Sequence, residues 1–243
     1  MKLESPKLTA RLAGIFFLLT IIGGIIAQMF ISERLVNFAD ASATANNILA
    51  NKGLFQIGFT VYLLEMACQV VAGLLIYRIL KPVNGTLALL MLLFEFTGIV
   101  IKTFARVFYI TPMYVLDGGA AFSGMDAAQL QSIALILLKV NDYGAATAIA
   151  FFGFSTALDG YLVFRSNYLP SWLGVLGMIA ALGWLAFLYP PLGYSTFMFA
   201  ALLGLIASAA KIFWLIVFGV DEQKFRAVEA ANAERHLQTQ PRV

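Results

Sequence analysis

Three ionisable residues, Glu95, Lys102 and Arg106, stand inside one apolar stretch, Thr86 to Ile110, which reads TLALLMLLFEFTGIVIKTFARVFYI. The stretch is long enough to cross a bilayer, and a charge at the middle of a spanning helix costs about 2.5 to 3.5 kcal/mol on insertion scales. Such residues face the bundle interior and pair, or they line a polar cavity. Spacings of seven and then four residues, at about 100° per residue, put all three on one helical face. The preceding apolar run, Leu54 to Leu80, carries a matching stripe of Gly58, Tyr62, Glu65, Gln69 and Gly73, stepping by three or four positions.

Depth along the runs sorts these groups. Glu65, Gln69, Lys102 and Arg106, with Asp142 at the mouth of a later run, form the candidate ligand-binding set. Its two cations would meet an anionic group, its carboxylate would pair with them or titrate, and its amide would hydrogen-bond. Glu95, Asp159 and Lys211 share a second depth on three different runs and read as a structural charge cluster that fixes helix register. Neutralising pairs without any ligand account for either group as well, and both readings stay open.

The elements that must hold these residues are membrane helices. The chain is 61% hydrophobic and 12% charged over 243 residues, where a soluble domain has about 25% charged residues. The expected fold is all-α, an integral membrane bundle of six transmembrane helices at about 12–31, 54–80, 86–110, 143–164, 171–189 and 195–219. The first run is too long for a signal-peptide core, so it is read as a permanent span. A short extracytoplasmic helix follows it, with Asp40 or Ser42 as its N-cap. An interfacial helix is expected before span four, with Ser123 and Asp126 at capping-box spacing, unless it runs straight into that span. Residues 1–220 then make the six-helix domain, and 221–243 a charged cytoplasmic tail.

The termini and the connectors after spans two and four hold Lys2, Lys7, Arg11, Arg78, Lys81, Arg165, Lys224, Arg226, Arg235 and Arg242, whereas the opposite side has Arg34, Lys52 and Lys139. Positive-inside bias places both termini in the cytoplasm and the Glu65 group toward the outside. The net charge of +3 is explained by these segment ends, so no nucleic-acid partner is expected. A lone cysteine, Cys68, and a lone histidine, His236, exclude an intrachain disulfide framework and bis-histidine haem ligation. No cofactor or metal is expected; membrane lipids are the expected partners, and a homo-oligomer is left open.

The order and spacing of several short motifs carry a family resemblance. Arg11-Leu12-Ala13-Gly14, Asp40 followed by Asn46-Asn47-Ile48, Lys81-Pro82, Asp142-Tyr143-Gly144, Gly160-Tyr161-Leu162 through Arg165, Leu169-Pro170 and Leu173-Gly174 together resemble a bacterial membrane-protein family, the domain of unknown function 4386. The resemblance runs to about Gly219. Members often carry a basic residue after the second proline, where this chain has Ser171. The family implies a multi-pass bacterial membrane protein and supplies no reaction. The residues themselves favour a small transporter or ligand-binding bundle for an anionic or amphiphilic molecule. A non-catalytic sensor or assembly factor stays open. A membrane enzyme using Glu65, Glu95 or Asp159 as acid or base has the least support, because no histidine pair, serine elbow or carboxylate-rich metal motif accompanies them.

Overall fold

A computed structural model describes residues 5–239 and the side chains as far as residue 232. Lys2 and Arg242 fall outside the described residues, as do the side chains of Arg235 and His236. Among the described residues the chain is helical throughout, without strands: α1 (Pro6–Leu35), α2 (Ala41–Ala50), α3 (Lys52–Leu80), α4 (Gly85–Leu116), α5 (Ala127–Arg165), α6 (Ser171–Leu188), α7 (Pro190–Val217) and α8 (Glu222–Thr239). Six of these, all but α2 and α8, are long and apolar enough to cross a membrane. Their outward faces are apolar as well: Leu182, Met198 and Phe199 are each at least 70% exposed, as suits side chains whose solvent is lipid rather than water.

Local chemistry sets the helix boundaries, and several differ from expectation. Of the two candidate caps for α2, Asp40 is the one used; its carboxylate accepts from the Ala43 amide at 2.9 Å. Asn84 caps α4 in the same way through the Leu87 amide at 3.0 Å. The separate interfacial helix expected ahead of span four does not stand alone. Residues Ala127–Arg165 form one helix, and its capping box is Asp126 with Gln129 rather than Ser123 with Asp126: each side chain accepts from the other's amide, at 2.9 and 3.0 Å. Pro190 and Pro191 open α7 instead of ending the helix before it, a position where a missing N–H costs nothing. Helix α4 continues through Pro112 to Leu116.

The chain forms two compact units. Unit 1 comprises Met1–Leu18, Val70–Gly98 and Ile149–Val243, and unit 2 comprises Leu19–Gln69 and Ile99–Ala148. Unit 1 is built on a core of Ile79, Leu80, Leu162, Val163, Leu215 and Phe225. Here α8 is docked rather than loose: Phe225 is buried edge-on to Tyr168 at 5.2 Å, and Asn232 donates to the Pro82 carbonyl. Gly219 makes the turn into α8 with φ +71°, and a methyl group there would stand 2.8 Å from Lys7 Cγ. Asp221 then caps α8, and the Lys224 backbone N–H holds its carboxyl below the usual carboxylate range. Burial pushes the Tyr168 phenol upward, and that hydroxyl donates to the Ile79 carbonyl at 2.8 Å.

Unit 2 has its own core, in which Ala27 and Ile31 of α1, Ile48 of α2, Phe55 and Tyr62 of α3, Tyr109 and Met113 of α4 and Leu138 of α5 pack together. Near the end of α1, residues Ile26–Ser32 are π-helical before a final α-helical turn, Glu33–Leu35, a wider winding that recurs at functional sites.

Candidate functional site

The stripe on α3 and the charged face of α4 meet inside unit 2. Gly58 lies against Tyr109, Tyr62 against Arg106, and Glu65 against Lys102. Positions ascend on one helix as they descend on the other, as neighbouring antiparallel helices require. Gly58 is small because the Tyr109 hydroxyl passes over it; a methyl group at Gly58 would sit 2.9 Å from that oxygen and 2.9 Å from Ile31 Cγ2.

Glu65 is 5% exposed and accepts from Lys102 Nζ at 2.6 Å through Oε1. Two glycines of α1 shape its cradle: methyl groups on Gly23 and Gly24 would stand 3.4 Å from Glu65 Cβ and 3.3 Å from Oε1. Arg106, 3% exposed, has neutral partners. Its guanidinium lies 3.7 Å above the Tyr62 ring, and Nη1 donates to Asn141 Oδ1 at 2.9 Å. A desolvated cation–π contact of this kind is worth about 2 kcal/mol. Tyr62 is held in turn by α1, its hydroxyl donating to Gln28 Oε1 at 2.7 Å, and Tyr109 closes the aromatic wall, edge-on to Tyr62 and stacked on Phe55 at 4.4 Å.

Glu65 Oε2, Arg106 Nε and the Tyr109 hydroxyl are buried without a hydrogen-bond partner. Buried polar atoms are nearly always satisfied, so each such group asks for an explanation. The set contains an acceptor, a cationic donor and a hydroxyl able to act as either.

Of the sequence candidates, Glu65, Lys102 and Arg106 are brought together in unit 2. Asp142 is half-buried one residue beyond Asn141, and Gln69 is half-buried at the end of unit 2's part of α3. Asn141, Gln28 and Tyr109 were not among the candidates. Signals for them existed: Tyr109 extends the Lys102–Arg106 face by three residues, Gln28 is an amide in an otherwise apolar span, and Asn141 adjoins Asp142. The same part of α4 and α5 lines an apolar groove of about 500 Å3 that includes Ile101, Phe104, Phe108 and Tyr143.

The second expected cluster lies in unit 1. Lys211 donates to Asp159 Oδ2 at 2.5 Å, both side chains 14% exposed, and Glu95 packs beside Gly73, its Cγ 3.4 Å from where a methyl group there would be. Among the described residues no three His, Cys, Asp or Glu side chains gather closely enough to hold a metal ion.

Six apolar helices with ionisable side chains turned into their packing define the class as a multi-pass membrane protein. Within it, the chain belongs to the family described as domain of unknown function (DUF4386), whose model matches residues 12–219. It is also similar to a protein of Archaeoglobus fulgidus described as uncharacterized, with 28% identity over 154 residues that cover 62% of this chain and 76% of that one. No solved structure matches the chain.

Proposed function

We propose that the protein binds a small anionic or amphiphilic ligand at the polar centre of unit 2, as a transporter or as a ligand-binding membrane protein. The observation that carries this reading is Arg106: a guanidinium 3% exposed, facing a neutral amide and an aromatic ring, with Nε still lacking an acceptor. Burying a cation without a counter-charge is costly, and an oxyanion would supply both the charge and the acceptor. Tyr109, three residues along α4 and edge-on to the ring beneath Arg106, offers a hydroxyl as a second donor. An apolar groove on the same stretch of α4 and α5, lined by Phe104 and Phe108, would suit the tail of an amphiphilic ligand. Asp159 Oδ1 is also buried without a partner, but Lys211 and Asp159 cancel each other's charge and no uncompensated cation lies with them among the described residues, so the pair is read as structural. By positive-inside bias, both termini are taken as cytoplasmic in a bacterial cell membrane.

Ligand-induced thermal shift of the purified protein across a panel of metabolites and lipids tests the proposal. Arg106→Gln keeps a side-chain amide near Asn141 while removing the charge, and it is expected to weaken binding of any responding anion about 10- to 100-fold, the value of one charged hydrogen bond. Lys102→Gln also weakens binding, with a loss of stability because Glu65 is left buried alone. A panel with no response from the native protein, or an Arg106→Gln variant that unfolds outright, would return unit 2 to the structural-pair reading.

A further inference from the structure

Resting on the anion-binding reading above, we infer that the ligand is a zwitterion whose oxyanion meets Arg106 Nε and the Tyr109 hydroxyl while its protonated amine meets Glu65 Oε2. An anion alone answers only half of what is exposed to it. Glu65 gives Oε1 to Lys102 and leaves Oε2 unpaired at 5% exposure. A carboxylate oxygen accepts and cannot donate, so a ligand satisfying it must carry an N–H or O–H. A plain anion placed against Arg106 would leave that oxygen orphaned. A molecule with both charges would satisfy all three atoms, its oxyanion beside Arg106 and its ammonium beside Glu65.

The elements also set the distance between the two ends. Arg106 lies over Tyr62, and Glu65 follows Tyr62 on the same face of α3; three residues of helix rise about 4.5 Å. The Tyr109 hydroxyl lies over Gly58, a further turn away, so the charges of the ligand stand about one to two helical turns apart, separated by a short linker. Free ω-amino acids and glycerophosphoethanolamine, a phosphodiester with one negative charge, have that form, and so does the headgroup of an ethanolamine phospholipid. The glycines of α1 limit bulk on the amine side, since Gly23 and Gly24 bring that helix to within contact of Glu65.

The test is titration calorimetry of the full-length protein in neutral detergent with β-alanine and glycerophosphoethanolamine, against ethanolamine, acetate and inorganic phosphate. Phosphatidylethanolamine vesicles with reconstituted protein form a separate arm, compared with vesicles of phosphatidylglycerol. A zwitterion is expected to bind at least about tenfold more tightly than either half. Response in the soluble arm identifies a free metabolite as the source, and response only to phosphatidylethanolamine identifies the headgroup. Tyr109→Phe removes only the hydroxyl and keeps the ring stacked on Phe55, so it should weaken zwitterion binding about tenfold while the protein stays folded. Glu65→Gln combined with Lys102→Met, which avoids a buried lone cation, should abolish the preference for zwitterion over anion. Phosphate or acetate binding as tightly as the zwitterions would overturn the inference and leave the anion-binding reading standing. No response to any probe, with ordered water on all three atoms in a high-resolution map, would overturn both.

Discussion

Lys211 and Arg106 keep cations inside an apolar bundle by different means. Lys211 has a carboxylate at 2.5 Å, and its charge is cancelled locally; Arg106 leans on a ring and an amide. The first arrangement should behave as a structural pair. Lys211→Met leaves Asp159 buried without its cation and is expected to destabilise the protein by about 3 to 5 kcal/mol, while Lys211→Met with Asp159→Asn recovers much of that loss. A thermal-stability cycle in which the two changes simply add would show that the pair contributes nothing. The charged members of both clusters could be found in the sequence because an ionisable residue in an apolar run is rare enough to stand out. Asn141 could not be singled out on that basis: it is uncharged and sits where a run of polar residues looked like the mouth of a span. Its role as the Arg106 acceptor depends on α5 being unbroken there.

At the scale of elements, the α3 stripe was the most readable feature because its glycines and polar residues obey one helical spacing. Each glycine marks a side chain arriving from another helix: the Tyr109 hydroxyl at Gly58, the Glu95 side chain at Gly73. The π-helical turn of α1 had no such signature, since Ile26–Ser32 contains neither proline nor glycine, and its winding follows from packing that only the folded chain supplies. The continuity of α5 was also obscure. The glycine-rich segment before it and Asn141-Asp142 both resemble boundaries, yet burial of Ala134 and Leu138 carries the helix through. Helix α2 is short enough to open separately. Its Thr44 hydroxyl donates to the Asn37 carbonyl and accepts from the Asn37 amide, both at 2.8 Å, while Asn47 reaches the Leu35 carbonyl. Thr44→Val leaves the Asn37 groups unpaired at a cost of about 1 to 3 kcal/mol. Hydrogen exchange should then accelerate at residues 36–50 and leave the centre of α3 protected. Acceleration throughout unit 2 would mean that α2 opens only with the whole unit.

For the whole molecule, orientation is the property that the proposed ligand traffic depends on most. With Arg78, Lys81 and Arg165 on the side of the termini, single cysteines at Asn84 and in α8 should be labelled only after membranes are opened, and cysteines at Asp117 and Gly193 in intact cells. The reverse pattern would invert the bundle and put Arg106 within reach of cytoplasmic ligands instead. One dimension of the molecule holds in either orientation. The 39 residues of α5 are about 58 Å long at 1.5 Å per residue. Even at a tilt of 40° that length covers about 44 Å of the bilayer normal, against a hydrocarbon core of about 30 Å. The surplus falls at the polar first turns near Asp126 and Gln129, where the helix must stand in water or among headgroups. A soluble domain grafted in helical phase ahead of Ala127 would therefore share one stiff rod with the membrane portion, and a 26.5 kDa protein otherwise featureless in a micelle would gain a landmark by which single-particle images could be aligned.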